Sequence, residues 1–481
     1  MVRNKKSPVR EMVTIESWAG EGGGVGRLSD GRVVFVAQGL PGEQVEVEYL
    51  KPAGRQVHAR LVQVIQPSPE RQLPPCRHYG YCGGCQLQNA PYSLQLALKR
   101  AHVESIVRQL GTFKAPEVEE VLPSEEVFFY RNKMDFAFAH RRYLLPEELG
   151  NPEIKPGPAC GFHVAGAFDR VIRVEECLLQ HPLHNQIRQA IEKEALAHGF
   201  TFYNARTHQG QLRGLILRCN RRGEWMVVLV TSAQCAHVAQ KLFNTLIPRF
   251  PQVVSWYFIE NPKKNDSILD LPAQLWYGQA HLVETIDGLR FRIHPKSFFQ
   301  THTAQAEKLY LLAREMAEVG SDHYLLDFYC GAGTTTAVIG QYCRQAVGID
   351  VSPEAIEDAK VSARENGLRH LTFFCGDVET LLKLPALKSF GRPDILVTDP
   401  PRAGMTPSLC RQILHLAPHK IVYISCNPAT QVRDLNLLSS HYEVVRLKPV
   451  DMFPQTRHIE CVALLRLRPD APAPLPSTFA P

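Results

Sequence analysis

From about residue 297 onward, short apolar segments alternate with segments of helical pattern. The strand-like segments are short and rich in β-branched and aromatic residues, and they lie at 324–328, 345–349, 372–375, 395–398, 421–424 and 443–450. Buried strands that alternate with helices usually pair in parallel, with helices on both faces of the sheet. The sequence therefore predicts a Rossmann-like α/β domain over residues 291–470, built on a doubly wound, largely parallel sheet.

Residues 8–67 follow another pattern, in which short β-rich runs are separated by glycine-containing turns. The runs lie at 13–15, 33–36, 44–49 and 58–65, and the predicted turns lie at 20–26, 30–31 and 41–42. Several short strands with tight turns favour a small OB-like barrel. The glycines at 22–26, followed by Asp30-Gly31 and by 40–43, resemble a TRAM domain, which implies RNA binding. A generic small barrel is the alternative.

Residues 68–290 mix helical and strand-like segments and are predicted to form an α+β central domain. A proline-rich linker at 67–75 leads into a cluster of cysteines, and apolar residues at helical spacing predict a helix over 92–110. One option is that this helix packs on the C-terminal domain. The length of 481 residues fits this multidomain organisation. The last residues, 471–481, are proline-rich and predicted to be a disordered tail.

Composition limits the compartment and the partners. No apolar run approaches the roughly 18 residues that span a bilayer, and no apolar segment follows the charged N-terminus as in a signal peptide. We therefore expect a cytoplasmic monomer without a membrane partner. The 13 cysteines are then core thiols, metal ligands or catalytic groups, not a disulfide framework. A net charge of +6 is compatible with a nucleic-acid partner without requiring one.

Glycines and carboxylates follow four of the predicted strands, in the segments 327–334, 348–350, 375–377 and 399–402. Open α/β sheets bind their ligands at this edge. Each segment alone is typical of a turn or a helix cap, but the four in this order predict a cofactor site. NAD is the main alternative cofactor. Thr336 counts against it, because the fingerprint of NAD-binding proteins has a third glycine at this position. The pattern instead resembles class I S-adenosylmethionine methyltransferases.

Two further segments indicate the chemistry. Cys426 lies in Ile-Ser-Cys-Asn-Pro-Ala-Thr (424–430), after a buried strand, and Glu460 ends the segment 453–460 before an apolar strand. Taken singly, Cys426 would be interpreted as a buried structural thiol and Glu460 as a surface carboxylate. Together with Asp-Pro-Pro-Arg at 399–402, these segments resemble the uracil-5 RNA methyltransferases that modify large-subunit ribosomal RNA, transfer RNA or both. The resemblance covers nearly the whole chain.

A cysteine suits this reaction because uracil C5 is a poor nucleophile. A thiolate that adds to C6 creates negative density at C5, which can then accept a methyl group. By the resemblance, Cys426 is the nucleophile and Glu460 the general base that removes the C5 proton, with His458 as a supporting neighbour. Arg402 is a candidate for supporting the catalytic loop or stabilising developing charge.

The same resemblance implies S-adenosylmethionine contacts at Gln300, Tyr329, Thr334, Asp350, Asp377 and Asp399. It also makes Phe298 and Phe299 candidates for stacking on the target base or shaping its pocket. His302 departs from the family pattern, which usually has asparagine there, and this leaves its role open.

Three cysteines follow the linker as Cys76-x5-Cys82-x2-Cys85. The family pattern adds Cys177 as a remote fourth, and such a set suits a 4Fe–4S cluster. A tetrahedral zinc site is the alternative, and Cys160 is a rival fourth ligand. No electron-donor motif lies nearby, so we expect the cluster to support folding or RNA binding, not redox chemistry.

Other functional classes fit less well. A DNA cytosine-5 methyltransferase normally has a Pro-Cys motif where this chain has 399–402, and an exocyclic-amine methyltransferase usually has an aromatic residue in place of Arg402. A non-catalytic RNA-binding protein on this scaffold is the remaining alternative, and the intact Cys426 and Glu460 count against it. The TRAM-like segment and the cysteines favour 23S ribosomal RNA over transfer RNA as the substrate. Basic residues near Tyr130–Lys133 are candidate RNA contacts, although each is more typically a solvated charge.

Overall fold

The computed structural model describes residues 8–20, 23–49, 56–164 and 167–471. Apart from Ala471, the predicted disordered tail lies outside the described residues. Within the described ranges, no helix is both long and apolar enough to cross a membrane.

Four groups of strands and a set of helices make up the described fold. The strands are β1 Val9–Ala19, β2 Gly23–Arg27, β3 Val33–Val36, β4 Gln44–Tyr49, β5 Gln56–Gln66, β6 Lys133–Ala139, β7 Ala159–Val164, β8 Ala167–Arg173, β9 Leu212–Cys219, β10 Trp225–Thr231, β11 Val253–Glu260, β12 Gln274–Gly278, β13 Leu282–Ile286, β14 Leu289–Ile293, β15 Tyr324–Phe328, β16 Gln345–Asp350, β17 Leu371–Cys375, β18 Ile395–Thr398, β19 Lys420–Ser425, β20 Tyr442–Val450 and β21 Glu460–Leu467. The helices are α1 Tyr92–Leu110, α2 Pro182–Ala197, α3 Ala236–Leu246, α4 Thr303–Ala317, α5 Thr334–Gly340, α6 Pro353–Glu365, α7 Val378–Leu381, α8 Pro385–Lys388, α9 Pro407–Leu416 and α10 Pro428–Leu438.

The N-terminal strands close into a barrel in the order β1-β2-β3-β5-β4. Alternate residues such as Val13, Val34 and Val47 fill its interior. The predicted turn at 20–26 is wrong in part, because Gly23–Arg27 is the strand β2. A Cβ added at Gly26 would lie 2.4 Å from a backbone oxygen of β1, so glycine there allows two strands to approach closely.

The central region contains a sheet in the order β12-β11-β10-β9-β6-β7-β8. Helices α2 and α3 pack on one face of this sheet around buried side chains such as Ile187, Leu242 and Trp256. Part of the opposite face, including Met226 and Tyr257, joins the core of the C-terminal region. The α+β prediction for the central region is therefore confirmed.

The C-terminal sheet has the order β17-β16-β15-β18-β19-β21-β20. Strands β15 to β19 are parallel, whereas β21 runs antiparallel between β19 and β20. The strand order reverses between β15 and β18, and such a switch point creates a crevice at the carboxyl ends of the strands. The doubly wound α/β prediction is confirmed.

Two elements cross the predicted boundary between the central and C-terminal domains. Strand β13 pairs with β14 from Leu282↔Ile293 to Ile286↔Leu289, so the boundary expected at 290 falls inside a hairpin. This hairpin packs in the same core as α4 and α5. Helix α1 contacts α10 of the C-terminal region, although it precedes the central sheet in the chain.

Candidate active site

A cavity of about 1300 Å³ opens at the carboxyl ends of the parallel strands. Most of the predicted site residues line it: Gln300, Tyr329, Asp350, Asp399, Cys426, His458 and Glu460. The side chain of Phe298 also lines it and is 75 % exposed, whereas Phe299 is buried in the core. The structure thus brings together side chains from four strand ends and two loops.

Two predicted cofactor contacts do not line this cavity. Thr334 is the buried first residue of α5. Asp377 follows β17 and caps α7, where its carboxylate accepts a hydrogen bond from the Thr380 N–H at 2.9 Å. Both lie at the predicted edge of the sheet, and Asp377 has a structural role there.

The turn after β15 is shaped for close approach of a ligand. Tyr329, Gly331 and Gly333 all have left-handed backbone conformations, with φ of 62°, 53° and 75°. A Cβ added at Gly333 would lie 2.8 Å from the nearest side chain, so only glycine fits this turn. The backbone can therefore pass directly into α5 beside the cavity.

Asp350 fixes the neighbouring turn and lines the cavity. Its carboxylate accepts hydrogen bonds from the Gly331 N–H at 3.0 Å and from the Ser352 N–H at 2.9 Å. Beneath it, the Thr336 hydroxyl donates to one oxygen of Asp327, while the other oxygen is buried without a partner among the described residues. Burial raises the pKa of Asp327 to about 8. A polar pocket with acceptors at these strand ends fits the ribose and amino acid of S-adenosylmethionine.

Sheet pairing brings Cys426 and Glu460 together. Antiparallel β19 and β21 are in register at Ser425↔Cys461. One step further along this register pairs Cys426 with Glu460, because antiparallel neighbours run in opposite directions. The loop that carries Cys426 is tied to the preceding strand end, since Asn427 Nδ2 and the Thr430 hydroxyl both donate to the carbonyl of Arg402.

Burial and mutual charge give this group unusual proton affinities. Burial raises the pKa of Asp399 to about 7. Burial, together with the charge of Asp399, raises the pKa of Glu460 well above its usual value, and Arg402 opposes this. Burial, then Glu460 and Asp399, raise the pKa of Cys426 to about 11. At neutral pH the resting site therefore holds Cys426 as a thiol.

His458 is a neutral hydrogen-bond acceptor in this site. Burial and then the charge of Arg402 lower its pKa to about 4. An N–H of Arg402 donates to His458 Nδ1 at 3.1 Å. His458 thus orients Arg402 at the cavity wall and is not itself a proton carrier near neutral pH.

The central region also contributes to the cavity. Arg131 and Tyr257 line it. Arg131 was predicted only as a candidate RNA contact, and Tyr257 was not predicted as a site residue. The Arg131 Nε is buried without a partner among the described residues. No local pattern marks either residue, because the packing of the central sheet on the C-terminal core decides their position.

His302 has a clear structural role. It caps α4, where its Nδ1 accepts from the Gln305 N–H. Its Nε2 lies 2.8 Å from the Ser124 hydroxyl, and its ring stacks on Tyr130 with centroids 4.4 Å apart. The departure from the family pattern thus preserves a helix cap and adds a contact to the central region.

The four predicted metal ligands lie near one another. Burial raises the pKa of Cys85, and the nearby Cys177, Cys82 and Cys76 contribute to it. Cys160 is not in this group, since it is buried in β7 beside Arg188. In the ranges that the structure describes, however, no group of three or more His, Cys, Asp or Glu side chains is arranged to hold a metal ion.

The chain is similar to known RNA methyltransferases. The family described as tRNA (uracil-5-)-methyltransferase matches residues 279–468. An uncharacterised RNA methyltransferase of Bacteroides thetaiotaomicron is 41% identical over 94% of this chain and 100% of its own length. Another from Porphyromonas gingivalis is 39% identical over 94% of this chain and 98% of its own length.

A solved structure is similar along the same length. The Pyrococcus abyssi tRNA (uracil-54, C5)-methyltransferase, in complex with S-adenosyl-L-homocysteine, is 26% identical, with a TM-score of 0.73. The match covers 95% of this chain and 100% of that chain. The chain therefore belongs to the RNA uracil-5-methyltransferase family and is an S-adenosylmethionine-dependent RNA methyltransferase.

Proposed function

We propose that this enzyme methylates carbon 5 of a uridine in RNA through a covalent bond between Cys426 and carbon 6 of the base. The adjacency of Cys426 and Glu460 across the β19–β21 pairing carries this proposal. A nucleophile and a base on one cavity wall can act in turn on neighbouring ring carbons. Asp399 and Arg402 line the same cavity and adjust the charge on both.

The proposed reaction begins at carbon 6 of the base. The Cys426 sulfur adds to C6 as a thiolate, and the C5=C6 electron pair moves toward the C4 carbonyl oxygen. Bound S-adenosylmethionine supplies an electrophilic methyl group on a positively charged sulfur. C5 takes the methyl group as the bond between the methyl carbon and that sulfur breaks, which leaves S-adenosylhomocysteine. The Glu460 carboxylate then removes the C5 proton. The C5=C6 bond re-forms, the sulfur–C6 bond breaks, and Cys426 leaves as a thiolate.

The shifted pKa values indicate which side chain takes up the proton that Cys426 loses and which one acts as the base. Because burial raises the pKa of Asp399 to about 7, this carboxyl can take up a proton near neutral pH as Cys426 loses one. Glu460 must be ionised to act as a base, and the positive charge of Arg402 favours that form. Neutral His458 keeps Arg402 in position for this task.

Removal of the thiol tests the mechanism. We expect Cys426→Ala to bind S-adenosylhomocysteine but to form neither 5-methyluridine nor an SDS-stable RNA adduct. Cys375→Ala is the matched control, since this exposed thiol lies outside the cavity. The readouts are mass spectrometry of RNA nucleosides and gel retention of labelled RNA. If Cys426→Ala still makes 5-methyluridine, the covalent mechanism is wrong.

We further infer that the cofactor contacts fall on the predicted set, in which Gln300, Tyr329, Asp350 and Asp399 have the stronger support. These residues line the cavity, whereas Thr334 and Asp377 lie beside it. Alanine substitutions at Asp350 and Asp377 compare the two groups. A larger loss of S-adenosylhomocysteine affinity for Asp377→Ala than for Asp350→Ala would contradict this order.

For the substrate we propose 23S ribosomal RNA, with transfer RNA as the second candidate. The TRAM-like barrel and the cysteine pattern support the first. The similarity to the archaeal enzyme, named for uracil 54 of transfer RNA, supports the second. Mapping of 5-methyluridine in both RNA pools of a deletion strain separates them. Loss of a ribosomal site supports the first, loss of a transfer-RNA site supports the second, and unchanged RNA refutes both.

We infer that Cys76, Cys82, Cys85 and Cys177 hold a 4Fe–4S cluster. Their mutual electrostatic influence supports the grouping, and a zinc site remains the alternative. No step of the reaction is derived from this group. Protein purified without oxygen should carry iron and the broad visible absorbance of such clusters. Stoichiometric zinc without that absorbance would overturn the assignment.

A further inference from the structure

The segment that leads to the proposed base is a buried loop, although it pairs with no strand among the residues that the structure describes. It begins at Asp451 after β20 and ends at His458, one residue before β21. Asp451 is 0% exposed, and Gln455 and Thr456 are nearly as buried. Gln455 has a left-handed backbone with φ of 69°, so this conformation needs support from its surroundings.

Helix α1 supplies much of that support. The Lys99 Nζ is completely buried, and it donates to Asp451 Oδ1 at 2.6 Å and to the Phe453 carbonyl at 3.2 Å. One turn earlier, Gln95 forms two reciprocal hydrogen bonds with Gln455, both at 2.9 Å. A buried ion pair is weak evidence for stability, but its geometry is tightly defined.

The cysteine-bearing segment and the central region hold the same loop. The N–H groups of Gln86 and Leu87, directly after Cys85, donate to the Gln455 carbonyl at 3.0 Å each. The Gln86 side chain accepts from the Arg457 N–H at 3.2 Å. The Tyr130 hydroxyl donates to the Pro454 carbonyl at 2.9 Å. The loop is therefore positioned by residues that lie outside the C-terminal sheet.

This arrangement bears directly on the proposed base. Only Ile459 separates His458 from Glu460, and the end of the loop determines where β21 begins beside Cys426. Cys426 follows β19, and its neighbour Asn427 caps α10 and donates to the Arg402 carbonyl, contacts that do not involve the 451–458 loop. A shift of the loop would thus move Glu460 relative to a nucleophile that is held by other contacts.

We propose that Lys99 and Gln95 are positioning residues of the reaction, which hold the 451–458 loop so that Glu460 reaches the C5 proton. The proposal rests on the proposed function, in which Glu460 removes that proton after methyl transfer. Helix α1 then completes the active site for the last step and leaves nucleophilic attack unchanged.

Two variants test the two contacts that α1 makes with the loop, here called the clamps: the Lys99–Asp451 ion pair and the Gln95–Gln455 hydrogen bonds. Lys99→Met with Asp451→Asn removes both charges together and so avoids an unpaired buried ion. Gln95→Met keeps the volume and removes the reciprocal hydrogen bonds with Gln455, together with the bond from Gln95 Nε2 to the Ala90 carbonyl. Glu460→Gln serves as the reference for lost base function. The double variant Arg188→Met/Glu192→Gln is the matched control, since it removes a comparably buried ion pair in the central region.

The assay uses total RNA with uridine tritiated at carbon 5, from a strain lacking the gene. Methyl transfer in the first turnover, tritium release and SDS-stable adduct are measured together. We expect both clamp variants to transfer the methyl group at the parent rate but to release tritium about tenfold more slowly, as misplaced catalytic groups do. Adduct should accumulate as in Glu460→Gln, and the KM for S-adenosylmethionine should not change.

The outcomes separate this proposal from the one it rests on. The control variant should lower the melting temperature without accumulating adduct. If the clamp variants lose methyl transfer and tritium release by the same factor, or release tritium at the parent rate, the positioning role is wrong. If Glu460→Gln itself accumulates no adduct, the assignment of the base is wrong instead. Gln95→Met alone decides the question if the charge variant does not fold.

Discussion

The proton affinity of Cys426 determines how much nucleophile the resting site contains. Burial first, and then the charges of Glu460 and Asp399, raise the pKa of this thiol from its usual 9.0 to about 11. At about pH 7.5 the thiolate fraction is then about 0.03 %, against about 3 % for a thiol with the usual value. We therefore expect iodoacetamide to alkylate Cys426 about 100-fold more slowly than an unshifted thiol of equal access.

The measurement is a pH series of alkylation, followed peptide by peptide with mass spectrometry. The rate at Cys426 should rise about tenfold per pH unit up to about pH 11, because each unit increases the thiolate fraction by that factor. Exposed Cys375 serves as the reference for access. Glu460→Gln removes a nearby anion and should lower the midpoint, whereas Arg402→Met removes a cation and should raise it. S-adenosylmethionine, which is cationic at sulfur, should lower it more than S-adenosylhomocysteine.

Two results would refute this reasoning. One is a midpoint for Cys426 below 9, which would mean that burial does not control the thiol. The other is a midpoint that rises in Glu460→Gln, which would mean that the two side chains do not interact as neighbouring acids. The control is Cys375→Ala, which leaves the cavity intact and should not move the midpoint.

Three further substitutions test the cofactor turn and the junction with the central region. Gly333→Ala forces a side chain into a left-handed turn, and we expect a stability loss of about 1–2 kcal/mol with weaker S-adenosylhomocysteine binding, measured by thermal melting and calorimetry. Asp350→Ala leaves the N–H groups of Gly331 and Ser352 without their acceptor, and an affinity loss of about tenfold or more is expected in the same titration. His302→Asn keeps a capping side chain but loses the stack on Tyr130, so the protein should lose about 0.5–1.5 kcal/mol of stability and retain methyl transfer. Unchanged affinity in the first two, or lost methyl transfer in the third, would contradict these expectations.

Local patterns were sufficient for much of the fold. The helix over 92–110 and the strands over 324–328 and 395–398 have the predicted bounds, because runs of apolar residues at a regular period leave few alternatives. The glycines at 20–26 misled the prediction, since glycine marks both turns and strands in close contact. The predicted boundary at residue 290 was misplaced because β13 pairs with β14 across it. The local sequence does not show that pairing.

By itself, the sequence determined which residue types stand at the ends of the parallel strands. That much follows from local periodicity, and it was enough to indicate a cofactor cavity and a nucleophile at Cys426. Only the tertiary structure decided that β21 inserts beside β19 and brings Glu460 next to Cys426. It also decided that Lys99 supports the loop before Glu460. Pairing between distant segments depends on the packing of the whole core, and no local pattern encodes it.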